Sequence, residues 1–442
     1  MVKLFTDNKL SLILIHVAIG FVAQFSFFPK LFGAAIVVVG VLTIISSKNM
    51  REEALMFAGY MVGAEVFLRM IRGNILYETG KYSVLLFLII GIVVGKNTNK
   101  PNVLFVFYIL LLLLGITLTS VPEGESIRNQ IAFNLSGPIV LGLCSFYFYK
   151  RQITKEMLFD ILFFMLLPII AMTSYLYFRT PSIEEIVFNA TANFDTSGGF
   201  GPNQVATILG VGIFIVAVFL ISKRKLTGYN IVDGIILVYL IYRGLLTFSR
   251  GGILSGAIAV FFFLIFYLLS QKQSFKLLLK ITGISIFVLV GIWLYTSNIT
   301  GGMLDNRYTG KNSRGIQKKD ITTGRLNIFK EQLNSFYESP IVGIGVGNGK
   351  YKRQLSAKNV TAASHNELGR LIEEHGFIGL LSLFLLIGAP SSIFFKVDNY
   401  RKAFIVSFFL LWLLTIGHSA MRIAFPGFIY GLSLINIIDE EE

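Results

Sequence analysis

Three residues in this 442-residue chain have the side chains and settings for chemistry: Arg250 in FSRGGILSG, Arg325 in TGRLNIF and His365 in SHNELGRLIEEHG. A guanidinium offers a planar fork of N–H donors that matches phosphate oxygens. A neutral imidazole can take a proton from a hydroxyl near pH 7. Each also has a plainer reading: Arg250 as a snorkelling charge at a membrane edge, Arg325 as a solvated charge opening a loop helix, and His365 as a merely exposed loop residue. Around them stand groups that could assist. Gly251 and Gly252 let a backbone or ligand come close, and Asn366 and Glu367 could orient the imidazole or accept its proton. Arg370 follows on the same short helix, and Asn203 in FGPNQVA either caps a helix or lines the same cavity. Glu65 and Arg69, four apart on one helical face, form a pair as readily structural as functional.

Other chemistries are poorly supported. The run GIGVGNGK at 343–350 fails the phosphate-loop spacing, because Ile344 stands where the first glycine belongs and Tyr351 where the hydroxyl belongs. It is a tight or flexible turn, or a surface that lets a ligand approach. There is no D-x-D motif, and His16, His365, His375 and His418 are scattered, so neither a metal nor another cofactor is expected. Cys144 is the sole cysteine and excludes an internal disulfide.

The elements that must position these residues are membrane helices. Only 14% of the residues are charged and 54% are hydrophobic, against about a quarter charged in a soluble domain. Fourteen apolar runs can be counted, and twelve spans remain if the close pairs at each end fail to cross about 30 Å twice. The expected fold class is therefore all-α: a polytopic transmembrane bundle of 12–14 spans, with one large loop containing short helices. The expected layout is a first bundle part at 1–296, the loop at 297–375, and a last bundle part at 376–442 ending in an acidic tail. The N-terminal apolar run is expected to be an uncleaved first span.

The net charge of +14 does not point to nucleic acid, because most of the Lys and Arg lie in short loops between spans. Alternating sides with the N-terminus inside places eighteen of them on that face, from Lys3 and Lys9 through Lys96, Lys100, Lys150 and Lys272 to Lys402, against about nine opposite. Both ends are then expected to be cytoplasmic and the loop external. A polar loop of that length usually carries function.

In their order and spacing, GFGPNQVA before a span, FSRGG between two spans, TGRLNIFKEQLNSFYESPIVGIGVG in the loop and SHNELGRLIEEHGFIGLL running into the next span resemble the bacterial O-antigen ligase and O-antigen polymerase superfamily. The resemblance covers residues 199–381, about 40% of the chain. It implies a metal-independent glycosyltransferase of the bacterial cytoplasmic membrane. Its donor would be an undecaprenyl-diphosphate-linked glycan, and its acceptor lipid A-core for a ligase or another lipid-linked glycan for a polymerase. It also implies that Arg250 and Arg325 hold the donor diphosphate and that His365 acts on the acceptor hydroxyl. SRGG and HNEL lean toward the ligase; the alternative is a polymerase of O-antigen, capsule or exopolysaccharide repeats. A flippase for lipid-linked glycan is the lesser alternative, since no internal repeat is visible and the ionisable residues collect at one face.

Overall fold

The computed structural model describes residues 8–95, 102–271, 275–320, 322, 324–355 and 364–439. Lys3, Lys96, Lys100, Lys272, Thr323 and the last three acidic residues of the tail lie outside the described residues. Seventeen α-helices are present among them. Eight are long and apolar enough to cross a membrane, and three shorter apolar helices, Lys9–Val22, Thr79–Val94 and Val103–Leu118, accompany them. Large apolar side chains such as Phe287, Leu294 and Phe384 stand exposed, which is stable only where the surrounding solvent is lipid. The chain is a multi-pass helical membrane protein.

Its centre is built from α3 (Glu53–Met70), α7 (Lys155–Arg179) and α8 (Pro202–Ile221). The spans of α7 and α8 are 89% and 83% buried, whereas α11 (Phe275–Ile299) is only 17% buried over its span and so lies at the rim. Packing without a strong hydrophobic difference between protein and lipid depends on close backbone approach. Small residues supply it where α8 meets α10 (Arg250–Ser270): a Cβ on Gly210 would fall 2.2 Å from the carbonyl oxygen of Gly252, and one on Gly252 would fall 2.3 Å from the Ala206 carbonyl carbon. Helix α10 also packs along α16 (Asn399–His418).

On the face that carries the long loop, α9 (Asn230–Leu246) leads into α10 through a tight turn in which Phe248 adopts φ +56°. The loop itself begins with α12 (Met303–Tyr308), continues through α13 (Arg325–Glu338) and α14 (Asn348–Leu355), and returns in α15 (Glu367–Phe394). Helix α15 is two helices joined at Gly376, whose φ of 59° and ψ of −136° break the ladder. The arm 339–347 docks in the break: Phe377 donates its N–H to the Pro340 carbonyl at 2.7 Å, and a Cβ on Gly376 would sit 2.6 Å from the Gly343 nitrogen. The glycine run thus makes tight turns, with positive φ at Gly343, Gly345 and Gly347, packed against α15. At the opposite end of the bundle a short parallel pair joins β1 (Gln152–Thr154) to β2 (Asn436–Ile438), tying the chain's last strand beside the start of α7.

Candidate active site

Arg250 is the first residue of α10, and the turn before it is fixed by its own polar groups. Thr247 Oγ1 donates to the Gly244 carbonyl at 2.7 Å and accepts the Ser249 N–H at 3.2 Å. Ser249 Oγ donates to the side-chain oxygen of Asn203 at 2.8 Å, joining this turn to the start of α8. Gly251 sits under the ring of His418, since a Cβ there would meet that ring at 2.5 Å. His418 Nε2 lies 3.2 Å from Thr207 Oγ1, and Nδ1 lies 2.7 Å from the Leu414 carbonyl oxygen, so the ring is held at both edges.

Arg325 opens α13 because Asp320 organises the turn before it. The Asp320 carboxylate accepts the N–H groups of Thr322 at 2.7 Å and Gly324 at 2.6 Å, and Gly324 takes φ +84°, which a glycine adopts without strain. Arg307, on α12, donates from Nε to the Phe248 carbonyl at 3.0 Å. The loop therefore folds back onto the span ends.

These contacts enclose a cavity of about 490 Å³. Asn203, Arg250, Gly251, Arg307, Arg325 and Asn366 line it, together with Ser249, Thr322, His418 and two apolar side chains, Leu326 and Phe329. No carboxylate is among these lining residues. Three guanidiniums share the space, and the field shows it: burial first, then Arg250 and Arg325, holds the Arg307 guanidinium below its ordinary value. Burial and then Arg250 do the same to Arg325. Like charges held together in this way favour an anion between them.

His365 is not itself a lining residue; it stands beside the cavity, one residue before the lining Asn366 and within the field of Arg325. Its backbone is pinned although its side chain reaches solvent. Ser364 Oγ accepts from Gln332 Nε2 at 3.0 Å, the Ser364 carbonyl accepts from Arg422 Nη2 at 3.1 Å, and Asn366 caps α15 by accepting the Leu368 N–H at 3.0 Å. Partial desolvation, then the charges of Arg325 and Arg422, holds the imidazole below its ordinary value. This favours the neutral form, which can accept a proton.

Residues 235–384 match the family model of the O-antigen ligase. Over that segment the chain is similar to the O-antigen ligase and polymerase superfamily. No curated protein matches it. The matched segment contains Arg250, Arg307, Arg325 and His365, while Asn203 and His418 come to the cavity from helices outside it.

The structure brings together six of the nine residues singled out in the sequence: Arg250, Gly251, Arg325, Asn203 and Asn366 around the cavity, with His365 beside it. The other three face elsewhere. Gly252 is spent on the α8–α10 crossing. Glu367 and Arg370 are buried and paired with each other; Glu367 also accepts the Met421 N–H at 3.3 Å, and Arg370 also donates to the Asn134 carbonyl at 2.8 Å. Glu65 pairs with Arg69 at 2.7 Å and accepts the Ala424 N–H at 2.6 Å, so this pair braces the turn after α16. Sequence reasoning passed over Arg307 and His418. The first looked like one of many loop cations, and the second carries no local motif. Among the described residues no group of three His, Cys, Asp or Glu side chains could hold a metal ion.

Proposed function

We propose that this protein transfers a glycan from undecaprenyl diphosphate to an envelope acceptor, lipid A-core in the ligase reading, at the outer face of the bacterial cytoplasmic membrane and without a metal. The observation that carries the reading is the convergence of Arg250, Arg307 and Arg325 on one cavity at the span ends, with no carboxylate among its described lining residues. A diphosphate bearing a lipid tail needs that location, since its headgroup must sit at the interface while the tail remains in lipid.

In the reaction the acceptor hydroxyl attacks the anomeric carbon of the donor. A new C–O bond forms, the bond to the diphosphate oxygen breaks, and its electron pair leaves with the diphosphate. The hydroxyl proton passes to the free ring nitrogen of His365. The negative charge on the departing oxygen is met by fixed guanidiniums that need no reorganisation, and removing one such donor typically costs about 10²–10³ in rate. A general base of this kind contributes about 10²–10⁴. Asn203, held by Ser249, and Asn366 offer amide groups to the sugar or phosphate oxygens at the cavity wall.

The test is complementation of a deletion strain. The deletion should accumulate unattached long glycan, and Arg250→Ala and His365→Ala, expressed at normal level, should fail to restore attachment. A deletion that instead leaves single repeat units on the acceptor identifies a polymerase. Movement of labelled lipid-linked glycan across vesicles with no change in glycan linkage would replace the transferase reading with a flippase.

A further inference from the structure

A second cavity, of about 450 Å³, lies on the far side of the turn that carries His365. Ser364 lines this cavity, Asn366 lines the arginine cavity, and His365 is the residue between them. Arg422 stands at the same partition, its guanidinium 4.1 Å from the centre of the Phe133 ring and bonded to the Ser364 carbonyl.

The walls of the two cavities differ in kind. In the second, Arg353 and Arg370 are already matched by carboxylates, and Arg422 is held by the Ser364 carbonyl and the Phe133 ring. Arg353 donates to both oxygens of Glu373 at 2.9 Å, and Arg370 is held by Glu367 and Asn134 with Glu374 at 3.5 Å. Lys350 and Glu125, of opposite sign, add no strong net field. What faces the space is amide and aromatic surface from the start of α6 (Ile127–Phe148) and the loop before α4 (Thr79–Val94): Asn129, Gln130, Phe133 and Tyr77. An amide offers both a donor and an acceptor to a sugar hydroxyl, and an aromatic face covers the C–H face of a pyranose. A diphosphate finds its partners in the first cavity; a sugar finds them in the second.

Resting on the transfer reading above, we propose that the second cavity seats the terminal sugars of the acceptor and delivers a hydroxyl to His365 from the side away from Arg250, Arg307 and Arg325. Donor and acceptor then approach one imidazole through two separate spaces, which is what a reaction joining two large glycans requires.

The full-length protein in lipid nanodiscs carries the test. Asn129 is exposed on the first turn of α6, so Asn129→Trp should fill the cavity without disturbing the core. Lys350→Trp fills it from the opposite wall and guards against a folding defect in the first variant. The probes are undecaprenyl diphosphate for binding and, for turnover, the host's lipid-linked glycan with oligosaccharide released from the same envelope as acceptor. Both variants should raise the acceptor KM about tenfold or more while affinity for undecaprenyl diphosphate holds. An unchanged acceptor KM in both folded variants, or weaker binding of undecaprenyl diphosphate in its place, overturns the inference. The transfer reading fails separately: Arg250→Ala that keeps full affinity for undecaprenyl diphosphate counts against the donor site and leaves the result at Asn129 independent.

Discussion

Arg307 donates its Nε hydrogen to the carbonyl oxygen of Phe248, 3.0 Å away, and so fastens the long loop to the turn that ends in Arg250. In that turn Phe248 holds a left-handed φ of +56°, uncommon for a bulky residue. Local backbone strain of this kind persists where surrounding contacts enforce it. Here those contacts join loop and bundle around one cavity.

Arg307 therefore has two duties, a positive charge in the cavity and a tie to the turn. Arg307→Ala loses both and should lower kcat/KM for glycan transfer by about 10²–10³. Arg307→Lys keeps the charge but not the fork, and should lose about tenfold or more, the cost of one charge-assisted hydrogen bond. A lysine variant with wild-type turnover in a purified assay would show that the tie to Phe248 is dispensable.

The pH profile reports on His365. Its pKa is held below the ordinary value by partial desolvation and by Arg325 and Arg422, and a base works in its neutral form. Turnover should hold near pH 7 and fall on acidification, with a midpoint below the unperturbed value of about 6.5. Removing one neighbouring cation raises the imidazole pKa, so Arg422→Gln should move the acid limb to higher pH, whatever its effect on the plateau. A limb that stays in place or moves to lower pH contradicts the base assignment.

Arg370 is expected to act through stability. It is buried with Glu367 and Glu374, and removing one partner of a buried pair costs about 3–5 kcal/mol because the other charge is stranded. Arg370→Met should lower the thermal midpoint and abundance strongly, and adding Glu367→Gln should recover part of the loss. A folded Arg370→Met protein of wild-type stability that no longer bound donor would instead make Arg370 a substrate contact.

The sequence by itself determined the kind of molecule and the short segments that matter. Apolar runs of span length require lipid, because an unpaired backbone group or exposed charge is costly there and helices satisfy the backbone internally. The exceptions to apolarity therefore stand out, and FSRGG, TGR and SHNEL were visible for that reason. The glycine run was legible as a turn because its cause is local, whereas Asn366, read as a group that could orient the imidazole, also caps α15.

Only the tertiary structure decided which polar residues face the cavity and which brace the helices. Arg325 and Arg370 look alike in sequence, yet one opens a loop helix toward the cavity and the other is buried against Glu367. Gly251 and Gly252 are neighbours, but the 100° turn between successive helical residues sends one under His418 and the other into α8. His418 joins Arg250 from a helix begun about 150 residues later, and Arg307 reaches it across the loop. A site assembled from residues so far apart in the chain exists only where packing has set the angles between the helices, and no spacing along the sequence encodes those angles.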